Sequence, residues 1–302
     1  MLAQRGHEVV APTSRDVDCR DAVAVTACLE QRRPDAAIVA AARVGGLMAN
    51  LRHGAEYLYD NALINLVTLK ACEQVGVPRA IVFGGACIYP RNLDRPIREA
   101  DLLTGPLEPT SEPYALAKIA AVRYANLLYR QGRCRAVACV LTNLYGDHDR
   151  FDAEEGHLIA SLIVKMHEAK ERGDGTLALW GDGTPRRDFL HASDAASACL
   201  TVLEADSLPD TINIGSGMDY PVKEIAQKVA EVVGFRGRLV FPGGEPNGVA
   251  RKLLAVDRIA ALGWRPIVPL DAGLRRTYQS YLLLRSRGDQ PTAEQNLPQH
   301  VS

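Results

Sequence analysis

Apolar residues along this chain follow two rhythms. Short β-rich runs alternate with longer stretches whose apolar positions recur at helical spacing. HEVVAPT (7–13) reads as a strand and Asp21 to Arg33 as a helix. AAIVAAA (36–42) is continuously apolar, the pattern of a strand buried on both faces. Tyr57 to Val75 predicts a helix, and RAIVFGG (79–85) predicts another buried strand. Tyr114 to Gln131 predicts a long helix stopped by Gly132. CRAVACVLTNLYG (134–146) predicts a strand running into a loop. This order implies an α/β fold, a Rossmann-like doubly wound parallel sheet with helices on both faces.

The second half is more mixed. Leu158 to Arg172 and Val222 to Val233 predict helices, with Ile225, Val229 and Val232 on one stripe. LALWG (177–181), TINIG (211–215) and RLVF (238–241) read as strands. Asp271 to Arg285 reads as the last helix, and the polar stretch 286–302 as a disordered tail. The predicted division is a doubly wound domain over 1–155, with returns near 182–215, and a smaller C-terminal α/β domain over 156–285.

Charge narrows the functional classes. Lys+Arg is 35 and Asp+Glu is 36, so the net charge of −1 gives no broad attraction to nucleic acid or anionic membrane. No apolar run approaches the about 18 residues of a membrane span, and MLAQRGHEVV lacks the regions of a signal peptide. The seven cysteines (19, 28, 72, 87, 134, 139 and 199) form no CxxC pair or zinc spacing. Free thiols in a reducing cytoplasm, without a metal site, are the expectation.

A doubly wound nucleotide fold opens with a strand, a glycine-rich turn and a helix, which cradle a pyrophosphate. That unit is absent from these residues. MLAQRGHEVV reads as the end of a first helix followed by the second strand. Two readings stand: a written start downstream of the true one, which is favoured, or a chain without ordinary dinucleotide binding.

Tyr114 and Lys118 form Y-x-x-x-K on one helical face. An ammonium beside a phenol lowers the phenol's pKa and suits it to donate a proton to a carbonyl. The bare motif is common on solvated helices, but its position after successive strand–helix units favours chemistry.

AAARVGG (40–46), CIYP (87–90), EPYALAKIA (112–120), TNLYGDHDRF (142–151), GHLIASLI (156–163), WGDGTPRRDFLH (180–191) and RKLLAVDRIAALGW (251–264) stand in order. Over about residues 5–283 they resemble the GDP-L-fucose synthase family of extended short-chain dehydrogenase/reductases. The resemblance implies a GDP-linked 4-keto-6-deoxy sugar, epimerised at carbons 3 and 5 and then reduced at carbon 4 with NADPH. It implies Cys87 as epimerisation base, His157 as its acid partner, and Tyr114 with Lys118 for reduction. Arg187 matches a position contacting the GDP pyrophosphate, and Lys165, Trp180 and Lys252 join it in the substrate set. Asn143 matches the nicotinamide–substrate region, and Ala40, Ala41 and Ala42 a strand end where a cofactor lies. Arg15 matches a reader of the adenosine 2′-phosphate, which favours NADP(H); a solvated loop arginine is an equal reading. The division then becomes an NADP-binding domain over 1–155 and a mainly substrate-binding domain over 156–285.

The sequence departs from the family at one catalytic position. The family carries Ser or Thr two residues before the CIYP cysteine, and here that position is Gly85, followed by Ala86. Losing such a donor costs on the order of 10²–10³ in rate. Both departures, Gly85 and the absent turn, touch reduction, whereas Cys87 and His157 remain. An epimerase with impaired reduction, a related 4-keto nucleotide-sugar enzyme and a non-catalytic nucleotide-sugar binder are therefore the alternatives. A homodimer is expected through the helices bearing Tyr114 and Tyr57, with Leu116, Ile119, Leu127 and Leu128, or Leu63, Ile64, Val67 and Leu69, serving as interface or core.

Overall fold

The computed structural model describes residues 1–243 and 248–288. The first part contains α1 (Ala22–Arg32), β1 (Ala36–Val39), α2 (Leu47–Arg52), α3 (Gly54–Val75), β2 (Arg79–Gly85), α4 (Glu112–Arg130) and β3 (Arg135–Leu141). Next come β4 (Asn143–Tyr145), α5 (Leu158–Arg172), β5 (Thr176–Ala178), β6 (Arg186–His191), α6 (Ala192–Glu204) and β7 (Thr211–Ile214). Then follow β8 (Asp219–Pro221), α7 (Val222–Val233), β9 (Arg238–Val240), β10 (Arg251–Lys252), α8 (Asp257–Ala261) and α9 (Leu270–Ser286).

Four strands make the main sheet, in the order β1-β2-β3-β7 and all parallel. Side chains alternate across it, so the two faces bury different residues. Val82, Ala138 and Val140 pack with Leu69, Val122 and Leu128 beneath α3 and α4. Ile81, Val137 and Cys139 pack with Ala198, Val202 and Ile259 beneath α6 and α8. A third core joins α5, α7 and α9 around Ile163, Val229 and Tyr281. Two smaller sheets complete the fold: β10-β6-β4 with β8 added to β6, and β5 with β9. Among the described residues no helix is long and apolar enough to cross a membrane.

Several predicted elements take a different form. Residues 7–13 are exposed and belong to no strand, with Val9 at 50% and Val10 at 47% exposure. A strand needs a neighbour to satisfy its backbone groups, and none of the described strands runs beside this segment. The 36–42 run is a strand only to Val39, and only Val39 is buried. The reason is position: β1 pairs with β2 alone, so it is an edge rather than a strand covered on both sides. The tail expected from Ser286 starts inside α9, and residues 289–302 lie outside the described residues. Helices α5 and α7 match their predicted limits because Gly173 (φ 75°) and Gly234 (φ 76°) end each in a left-handed cap.

Ile81→Ala should cost about 2–5 kcal/mol in urea unfolding. Val9→Asp and Val10→Asp should each change stability by less than about 0.5 kcal/mol. A loss above about 2 kcal/mol from either aspartate would mean that residues 7–13 form a buried strand in solution.

Candidate functional site

The carboxyl end of β2 delivers the first group. A 3-10 turn over Ala86–Ile88 follows the strand and carries Cys87. Gly84 is held tightly, since a Cβ there would meet Val140, Val122 and Ile88 at 3.2–3.4 Å. The Tyr89 hydroxyl donates to Asn213 Oδ1 at 2.6 Å, which pins this turn to β7. Asn213 Nδ2 in turn donates to Ile97 O at 2.9 Å, and Ile97 bridges Leu254. That second link brings β10, with Lys252, to the same end of the sheet.

Helix α4 supplies the second pair. Tyr114 and Lys118 are one turn apart, with Lys118 Nζ 5.8 Å from the Tyr114 ring centroid. Lys118 is 2% exposed, and its one side-chain hydrogen bond is a long one, 3.4 Å to Asn65 Oδ1 on α3. Burial lowers its pKa to about 8, and Cys87 opposes that shift. The Tyr114 phenol moves opposite to the sequence-based expectation. Burial raises its pKa, and the negative charges of Cys87 and Tyr57 add to the rise. Desolvation of the phenolate dominates here. Tyr114 is thus held as a protonated donor.

Gly85 stands between these groups. Its backbone is extended (φ −113°, ψ 157°), so no left-handed conformation demands glycine. A Cβ there would touch Cys87 Sγ at 3.4 Å and Tyr114 Cε1 at 3.9 Å, both ordinary contacts. The missing hydroxyl has room beside both reactive groups.

Strands β6 and β10 add the cations. They run parallel with Arg251 opposite Arg186 and Lys252 opposite Arg187. Arg186 and Arg251 both reach Asp219, at 3.0 and 2.6 Å. Alternation along the strands sends Arg187 and Lys252 to the other face. Neither makes an ion pair among the described residues; the Glu108 charge only influences both from nearby. Burial lowers Arg187 to about 10 and also lowers Lys252, with Cys87 opposing the latter shift. Burial raises the Cys87 thiol, and Lys252 and then Lys118 pull it back. Cys87, Tyr114, Lys118, Lys252 and Arg187 therefore form one electrostatic cluster.

The remaining predicted residues lie around this cluster or away from it. His157 is the exposed N-cap of α5, where its side chain makes no capping bond. Lys165 lies one face along α5, with Nζ 4.6 Å from the ring centroid of Trp180, which is 55% exposed. Asn143 Nδ2 donates to Asp188 O at 2.8 Å and ties β4 to β6. Ala40 and Ala41 are exposed and Ala42 is half-buried, beyond the end of β1. Arg15 sits in an exposed turn, and no contact joins it to the cluster among the described residues. Sequence reasoning missed Asn65, Glu108 and Asp149. Asn65 carried a signal, because Asn61 and Asn65 place amides one turn apart on a mainly apolar helix. A cleft of about 170 Å³ lined by Tyr145, His191 and Ser216 shares none of the cluster's residues.

The arrangement fits two ligand ends. Arg187 and Lys252 suit a diphosphate. Lys118, with one long hydrogen bond among the described residues, retains donors for ribose hydroxyls. The described residues contain no strand, glycine-rich turn and helix in succession for a cofactor pyrophosphate.

Comparison with known proteins agrees with this geometry. The model of the NAD dependent epimerase/dehydratase family matches residues 1–215. A protein of Sinorhizobium fredii strain NGR234 named GDP-L-fucose synthase is 40% identical over 281 residues, 93% of this chain and 90% of that protein. The crystal structure of a GDP-6-OMe-4-keto-L-xylo-heptose reductase from C. jejuni superposes with a TM-score of 0.85 at 27% identity, covering 93% and 92% of the two chains. A GDP-L-fucose synthetase from Naegleria fowleri bound to NADP gives a TM-score of 0.83 at 26% identity, covering 94% and 88%. The chain belongs to the NAD dependent epimerase/dehydratase family, alongside its GDP-L-fucose synthases.

Proposed function

We propose that this chain converts GDP-4-keto-6-deoxy-D-mannose to GDP-L-fucose, with 3,5-epimerisation preceding reduction at carbon 4. One observation carries the reading: two half-buried cations, Arg187 and Lys252, lie without ion-pair partners among the described residues, and Lys252 acts on Cys87, which adjoins Tyr114 and Lys118. A GDP-sugar brings the diphosphate for the cations and the ketone for the other three. The curated relatives' names and the NADP-bound neighbour support the same substrate and cofactor class.

The ketone acidifies the C–H bonds at carbons 3 and 5. Cys87, as thiolate, takes a proton from one face, and His157 returns one to the other, so the sugar inverts without changing composition. The Lys252 and Lys118 charges pull the Cys87 thiol toward thiolate without cancelling the burial that raises it. Tyr114 then donates its proton to the carbonyl oxygen, and Lys118 steadies the phenolate left behind. NADPH, when bound, supplies hydride to carbon 4. Tyr114, Lys118, Asn143 and Ala40 to Ala42 would hold its ribose–nicotinamide end, and Arg15 its 2′-phosphate. On this reading residues 1–155, with 182–215, serve the cofactor and 156–285 mainly the sugar. Seven free thiols suit a reducing cytoplasm.

A second reading, an epimerase with slow reduction, is favoured by Gly85, which leaves the ketone oxygen one donor short. Homodimerisation through α3 and α4 is part of the proposal. Ile119, Leu128 and Leu69 are committed to the core, whereas Leu116 and Leu127 are 43% and 51% exposed and open to a second copy. Sedimentation at the dimer mass is the expected result, and a monomer mass removes this clause.

Gly85→Ser should fold normally and raise the rate of 4-keto reduction by about 10²-fold, leaving deuterium exchange at carbons 3 and 5 unchanged. An unchanged reduction rate would mean that Gly85 is not the deficit. Arg187→Met and Lys252→Met should each weaken GDP binding by about 10- to 100-fold in calorimetry, less so at high salt. Undiminished GDP affinity in both variants would remove the diphosphate assignment and, with it, the GDP-sugar reading.

A further inference from the structure

The loop between β4 and α5 is built more firmly than a connection requires. Arg276 pairs with Asp147 at 3.0 Å, and the His148 N–H donates to Ser280 Oγ at 3.1 Å, so α9 fixes the loop's start. His148 has φ 63°, a left-handed backbone that a non-glycine residue adopts against steric resistance. Phe151 anchors the middle in the core of α5, α7 and α9. Asp152 Oδ1 accepts the N–H groups of Glu154 and Glu155 at 2.8 and 2.7 Å. Arg150 and Glu155 form an ion pair across the loop. Asp149 and His157 flank that clasp, one on each side.

Asp149 has an unmet requirement. Its Oδ1 accepts the Arg150 N–H at 2.8 Å. Its Oδ2 is closed to solvent and has no hydrogen-bond partner among the described residues. A buried carboxylate oxygen without a donor is costly and calls for an explanation. Burial pushes the Asp149 pKa up; the His157 charge is the main influence pulling it back, followed by the Arg150 N–H. His157 has the complementary surplus, an imidazole that makes no capping bond to its own helix.

The other charges around the loop already face one another. Arg150 meets Glu155, and Asp147 meets Arg276. Asp152 and Glu154 face Lys165, which lies over Trp180. Tyr57 faces Arg150, Arg43 and Glu155 from α3. Gly156 lies on the same clasp, where a Cβ would meet Arg150 O at 2.9 Å, so His157 follows beside the residue next to Asp149, and its charge acts on that carboxyl.

We propose that Asp149 is a positioning residue for His157, accepting one imidazole N–H so that the other, protonated nitrogen faces the sugar. The proposal rests on the reading that His157 returns a proton during epimerisation. A carboxylate beside the imidazole fixes the ring and its tautomer. In the proton step, His157 gives its sugar-facing proton to the carbon that Cys87 deprotonated from the opposite face. The imidazole becomes neutral, and Asp149 keeps its hydrogen bond without taking a proton.

The test is ring ¹⁵N NMR of the histidine-labelled free protein, with His157 assigned among the seven histidines through His157→Asn. Asp149→Asn should remove the single-tautomer preference of the His157 ring, read from its two ring-nitrogen shifts, with the other histidines unmoved. Asp149→Glu should restore part of it and guards against misfolding of the amide variant. In D₂O, Asp149→Asn should slow exchange at carbons 3 and 5 by about 10- to 100-fold without altering GDP affinity. His157 ring-nitrogen shifts in Asp149→Asn that superimpose on the unmodified protein's overturn the proposal. Changed shifts in a chain whose unmodified form exchanges no deuterium support the pair and overturn the substrate reading instead.

Discussion

Lys252 and Arg187 sit at matched register on two parallel strands, and among the described residues only their alternates, Arg251 and Arg186, reach a carboxylate. Removing a cation from water without a partner is expensive, and both side chains respond with lowered pKa values. The same charges act on the half-buried Cys87, where Lys252 and Lys118 oppose, without cancelling, the desolvation that raises its thiol. On the proposed reading a diphosphate at Arg187 and Lys252 would relieve the unpaired charge, so binding and chemistry would draw on one electrostatic arrangement.

Geometry holds that arrangement from several directions. The parallel sheet ends β2 beside α4, which sets Cys87 against Tyr114 and Lys118. The Tyr89–Asn213–Ile97 chain of contacts carries β10 to the same edge. No single helix or strand contains the site. Its parts come from elements far apart in sequence, and the parallel order is what gathers their carboxyl ends.

Local pattern made much of this legible. Helical spacing gave the limits of α5 and α7, which Gly173 and Gly234 cap in the structure, and the Y-x-x-x-K spacing put Tyr114 and Lys118 together. Pairing was harder to read. Residues 7–13 have strand composition but no neighbouring strand, and β1 lies at an edge despite an apolar run. Strand β6 was visible only within a motif, because RRDFLH mixes charged and apolar positions without a clean period, and helix α6 was not read from the sequence. Burial was not legible at all: it decides that Tyr114 rises rather than falls, and it exposes the orphaned oxygen of Asp149. Arg15 and Ala40 to Ala42 remain apart from the cluster, so their roles rest on likeness rather than on contact.

The most direct measurement follows GDP-4-keto-6-deoxy-D-mannose by proton NMR with the unmodified chain in D₂O, adding NADPH partway. The account predicts deuterium at carbons 3 and 5 before NADPH, then slow appearance of the reduced GDP-sugar. A folded sample that binds GDP but exchanges neither carbon would contradict it.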